Sequence, residues 1–89
     1  MPYELELPRR LKPPYRVKIQ EKESCEEPHV TIWRKAKRFR YSLRGNGFLD
    51  PVPDPKELDK QVIDVVEDHL DDLREAWDRM YPHNPVGAV

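Results

Sequence analysis

The chain holds a single cysteine, Cys25, and three glycines among its 89 residues. One thiol cannot close an intrachain disulfide, which excludes a cystine-stapled scaffold. The acids Glu23, Glu26 and Glu27 around it disfavour the thiolate, so Cys25 reads as incidental rather than nucleophilic. Long apolar runs are lacking too: no stretch approaches the roughly 20 residues that span a bilayer. The opening Met1-Pro2-Tyr3-Glu4 has neither the basic nor the apolar block of a secretion signal, so the expectation is a soluble, cytoplasmic protein with no membrane partner. Glycine is too sparse for a phosphate loop. Gly45-Asn46-Gly47 runs into Phe48 and Leu49 instead of a Lys and a hydroxyl residue, and reads as a turn. A core of this size buries only about two-thirds of its unfolded surface, which rules out a two-domain enzyme with a deep substrate pocket.

What is abundant is charge. Charged residues make up 37% of the chain and nearly cancel, to a net -1, but they are segregated. Arg9, Arg10, Lys12, Arg16 and Lys18 occur with no acid among them, as do Arg34, Lys35, Lys37, Arg38, Arg40 and Arg44. From Asp54 to Tyr81, ten acids stand against four bases, which leaves that segment at -6. One positive and one negative surface are implied, able to meet a charged partner or another copy of the chain.

Four of the ten prolines fall in residues 1–14, which read as a proline-rich arm with an edge strand around Tyr3, Leu5 and Leu7. Residues 15–81 read as one domain and residues 82–89 as a flexible tail. Tyr15 to Gln20 alternates apolar and polar residues, His29 to Trp33 is β-branched and aromatic, and Arg38 to Arg44 alternates again. These predict three strands, with residues 34–37 as a turn and Phe48-Leu49 as a short fourth. Asp54, Pro55 and Glu57 form a helix start, and Leu58, Val62, Val65, Val66, Leu73, Ala76, Trp77 and Met80 share one arc of a helical wheel. A single long C-terminal helix from Pro55 to about Tyr81 is expected. The fold class is therefore α+β, a small antiparallel sheet of three or four strands packed on that helix. Alternation points Tyr15, Val17, Ile19, Phe39, Tyr41 and Leu43 at the helix and leaves Arg16, Lys18, Arg38, Arg40 and Arg44 on the other face.

Pro28-His29-Val30, Ala36-Lys37, Leu49-Asp50-Pro51, Lys56-Glu57-Leu58 and Leu73-Arg74-Glu75-Ala76-Trp77 follow one another in an order and spacing that resembles a family of small prokaryotic proteins of unknown function. Some members are encoded beside toxin-antitoxin-type genes. The resemblance spans about residues 15–81 and implies a compact α+β fold in a stress-module context. The chain departs from that pattern at Thr31, where the family often has a second histidine, and in a longer run from Arg38 to Gly47.

The candidate partner- or nucleic-acid-binding residues are Arg16, Lys18, Trp33, Arg34, Lys35, Lys37, Arg38, Arg40 and Arg44. Guanidinium and ammonium groups neutralise phosphates or carboxylates, and an indole facing outward can stack on a base. The same cations also protect a small sheet from edge-to-edge aggregation. An acidic helix and a basic sheet are complementary, so one protomer's helix can meet another's sheet, or a separate acidic protein can dock there. His29 and His69 are candidate metal ligands, but a metal needs three or four donors and only two imidazoles fall within the domain. The acids at Asp64, Glu67, Asp68, Asp71 and Asp72 read as a solvated helix face. No catalytic set or cofactor emerges. The leading expectation is a non-enzymatic protein-interaction module using a basic sheet face. The alternative is an RNA- or DNA-binding component, including a compact ribonuclease-type toxin built around His29 and the Arg38-Arg40 strand.

Overall fold

The computed structural model describes residues 3–12, 14–19, 27–45, 47–51 and 53–87. Cys25, most of the polar 21–28 segment and Asn46 lie outside them. Four strands form one sheet: β1 (Tyr3–Leu5), β2 (Tyr15–Ile19), β3 (His29–Arg34) and β4 (Lys37–Ser42). They lie side by side in chain order, every pair antiparallel. The fourth strand is thus supplied by the N-terminal segment as an edge strand, where its prolines cost no central ladder bond. Phe48 contributes only an isolated bridge to Tyr41. It is held by Ser42 N–H donating to Gly47 O at 2.7 Å and Leu49 N–H to Arg40 O at 2.9 Å.

The register explains the two faces. Leu5, Val17, Ile32 and Phe39 line up across all four strands and are buried. One residue along, Arg16, Trp33 and Arg38 line up on the opposite side, and so do Lys18, Thr31 and Arg40. Period-two alternation imposes this once one row is fixed in the core. The β3–β4 turn is two residues, Lys35 and Ala36, between the paired Arg34 and Lys37. Lys35 has φ of 57°, a left-handed conformation at the first turn residue, as in type II′ hairpins.

The single long helix is corrected to three pieces. Pro55–Glu57 is one 3-10 turn, capped by Asp54 accepting from Lys56 N–H. Leu58 is then extended and buried, and Asp59 caps a new start by accepting from Gln61 N–H. Helix α1 is Lys60–Asp68 and helix α2 is Leu70–Met80. The break falls at His69, whose imidazole Nδ1–H donates to Val65 O at 2.8 Å. That side chain takes the carbonyl which its own N–H would use in a continuous helix, and the N–H shifts to Val66 O. The wheel arc carries across the break because the interruption adds no turn of chain.

Val62, Val66, Leu73, Ala76 and Trp77 pack onto Val17, Ile19, Val30, Ile32, Phe39, Tyr41 and Leu43. The Tyr15 hydroxyl accepts from Asp59 N–H at 2.9 Å and ties β2 to the entry of α1. Leu5, Leu7 and Leu11 also join the core, so the proline-rich segment is packed as well as paired. At the other end, Trp77 Nε1–H donates to Asn84 O at 2.7 Å, Val86 N–H donates to Asp78 Oδ1 at 2.8 Å, and Val86 packs against the core. Residues 84–86, read from the sequence as tail, are therefore bonded to the domain. Among the described residues, no helix is long and apolar enough to cross a membrane.

Candidate binding face

With α1 and α2 on one side of the sheet, the opposite side carries Glu4, Arg16, Lys18, Thr31, Trp33, Arg38 and Arg40. Val30 and Ile32 point into the core, which turns Trp33 outward, where it is half-buried. The Arg38 guanidinium sits 5.4 Å from the centroid of the Trp33 ring, within cation–π range. Beside that pair is a shallow depression of about 300 Å³ lined by Pro14, Arg16, Lys18, Trp33 and Lys35. The Trp33 Nε1–H is buried and has no hydrogen-bond partner among the described residues.

Internal pairing decides which cations remain available. Arg16 donates to both Glu4 carboxylate oxygens at 3.2 Å, which holds the Glu4 carboxyl below its ordinary range and raises the guanidinium. Arg40 grips Asp50 through two bonds of 2.7 Å, and this hydrogen bonding lowers the Asp50 carboxyl against a smaller opposing effect of burial. Lys37 pairs with Glu57 of the 3-10 turn. Arg44 lies beyond β4 and donates to Asn84 Oδ1, Pro85 O and Val86 O, so it holds the C-terminal segment. Arg34 lies opposite Tyr15 and Lys37 at the end of the core-facing row, with its Nε–H unpartnered. On the open side Lys18, Lys35 and Arg38 make no ion pair among the described residues, and they surround Trp33.

The histidines are engaged elsewhere. His29 is fully buried, with Nδ1 2.7 Å from Glu27 O and its ring 5.6 Å from that of Trp77. The register places it in the same row as Thr31 and Trp33, and its charge helps to lower the Asp50 carboxyl that Arg40 grips, but its ring is closed off from solvent. His69 is the helix-break residue. Among the described residues, no group of three or more His, Cys, Asp or Glu side chains could hold a metal ion. Tyr41 is buried beside Glu67, to which its hydroxyl donates at 3.2 Å, and burial raises its pKa.

The candidate set thus divides: Arg16, Lys18, Trp33, Lys35, Arg38 and Arg40 converge, while Arg34, Lys37 and Arg44 do not share their face. Sequence reading missed Glu4 and Pro14 as lining residues. The alternation of Tyr3, Glu4 and Leu5 was a signal for Glu4, whereas nothing local marks Pro14.

Fold and face together define a small meander sheet, covered on one side by a broken helix and open on the other around a tryptophan ringed by cations. No protein-family model, curated protein or solved structure matches the chain.

Proposed function

We propose that the chain is a non-enzymatic protein-interaction module of the cytoplasm, belonging to a toxin-antitoxin-like system, whose open sheet face binds an acidic protein surface. The observation that supports this reading is Trp33 facing outward among Lys18, Lys35 and Arg38, none of which makes an ion pair among the described residues. Tryptophan and arginine are the residues that most often anchor protein interfaces, and unpaired cations steer an acidic partner to them. Lys35 adds weight. A left-handed conformation costs a non-glycine residue about 1 kcal/mol, and such strain concentrates where a side chain has a task.

A second reading, single-stranded nucleic acid, is favoured by the same outward indole, since bases stack on aromatic faces while Lys18, Lys35 and Arg38 meet phosphates. Fluorescence anisotropy with a Glu/Asp-rich peptide and a mixed single-stranded RNA, each titrated across salt, separates the two. The double variant Lys35→Glu with Arg38→Glu is the control. Arg40 is unsuitable for reversal because its guanidinium holds Asp50. The expected result is salt-sensitive peptide binding that the variant loses. RNA binding with a log-log salt slope near -2, about three phosphates neutralised, would promote the second reading instead. Binding of either ligand unchanged by the charge reversal would refute the face.

A further inference from the structure

Internal pairing leaves acids over as well as cations. On the helices Arg74 takes Asp71, Arg79 takes Glu75, Tyr41 takes Glu67, and Asp78 accepts from Val86 N–H. Asp64, Asp68 and Asp72 are exposed and make no ion pair among the described residues. Their spacing of four residues puts them about 6 Å apart along the helix direction, in a stripe that runs across the break at His69. The free cations occupy a similar width: β2, which carries Lys18, and β4, which carries Arg38, are two strand spacings apart, about 10 Å. The unneutralised charges of the two signs therefore sit on opposite sides of one small domain, on surfaces of matching extent.

Resting on the reading that the open face takes an acidic protein partner, we infer that this partner is a second copy of the chain, its Asp64–Asp68–Asp72 stripe docked against Lys18, Trp33, Lys35 and Arg38. The contact is heterologous, because the two surfaces lie on opposite sides of the domain. Each docked pair keeps one basic and one acidic face free, so assembly proceeds to a ring or an open chain rather than stopping at a two-fold dimer. Trp33 supplies the apolar centre that exposed ion pairs alone lack.

Sedimentation of the full chain tests this with two neutralised variants, Lys18→Gln with Arg38→Gln and Asp64→Asn with Asp68→Asn. None of the four positions makes an ion pair among the described residues, so circular dichroism should show an unchanged fold. At low ionic strength the wild-type mass is expected to rise with protein concentration and to fall to the monomer at about 0.5 M salt, where screening is nearly complete. Each variant alone should associate about tenfold or more weakly. Mixed in equal amounts, they should form a one-to-one complex and nothing larger, since only one intact basic and one intact acidic face remain to meet. A mixture that stays monomeric, or a wild type monomeric at low salt, overturns the inference. Polyglutamate added to the wild type separates the two levels. Salt-sensitive binding of polyglutamate by a monomeric wild type would leave the face reading standing and remove the second copy as its partner, whereas no binding would remove both.

Discussion

The two tryptophans make opposite predictions from opposite environments. Trp77 is fully buried, its ring lies 4.3 Å from Tyr81 and 5.6 Å from His29, and its Nε1–H is satisfied by Asn84 O. Truncation to alanine removes a large apolar surface, leaves a cavity between α2 and β3, and orphans a carbonyl that anchors the C-terminal segment. Such losses cost about 3–5 kcal/mol. A chain of 89 residues has only about 5–13 kcal/mol in total, so Trp77→Ala should lower Tm by roughly 15–30 °C. Trp33 is half-buried, its Nε1–H finds no hydrogen-bond partner among the described residues, and its main specific contact is Arg38. Losing a cation–π contact and an aromatic strand residue costs about 1–1.5 kcal/mol together. Urea unfolding followed by circular dichroism measures both variants on the same scale. A Trp33→Ala loss equal to that of Trp77→Ala would refute the reasoning, because it would make the face assigned to solvent part of the interior.

Three more expectations follow from contacts already described. Glu4 and Asp50 have folded pKa values lowered by Arg16 and Arg40, so their contribution to stability is fully present above the ordinary carboxylate range near pH 4 and is lost as pH falls through the lowered values. The double variant Glu4→Gln with Asp50→Asn should be less stable than wild type at about pH 6 and indistinguishable from it at about pH 2, read as urea midpoints. Lys35→Gly should raise stability by about 0.5–1 kcal/mol by relieving the left-handed turn, while weakening capture of an acidic peptide; a loss of stability would contradict the turn geometry. Leu7→Ala should cost about 2–4 kcal/mol in thermal unfolding, since Leu7 is 4% exposed, whereas a dispensable arm would show almost no change.

The strands were legible because their residues alternate. Val17 and Phe39 could each be assigned inward from the sequence, and the register joins them with Ile32 in one row. Trp33 follows from the same parity once the β3–β4 turn is known to be two residues long, a length that the run of cations at 34–38 does not reveal. The helix break was hidden because the apolar arc continues through it. What stops the helix is a side-chain hydrogen bond from His69 to Val65 O, and histidine has no strong breaking propensity to announce it. The thinning of the binding set was equally out of reach. Arg40 and Asp50 are ten residues apart, Arg44 and Val86 are 42 apart, and a charge count along the chain cannot say which cations find acids at home. A proline-rich start suggested looseness, yet Leu5, Leu7 and Leu11 carry apolar spacing that only the packed edge of the sheet explains.

The meander sets an order of events during synthesis. Each strand pairs only with its neighbour in the chain, so the sheet can form hairpin by hairpin as it emerges, with little loop-closure entropy to overcome. Its apolar side, lined by Val17, Ile32 and Phe39, then waits for α1 and α2, which follow the sheet in the chain. During that interval the nascent sheet presents an uncovered hydrophobic surface on one side and a row of cations on the other. The charged side keeps such half-made chains apart, while the bare side is where a holding chaperone would find its grip.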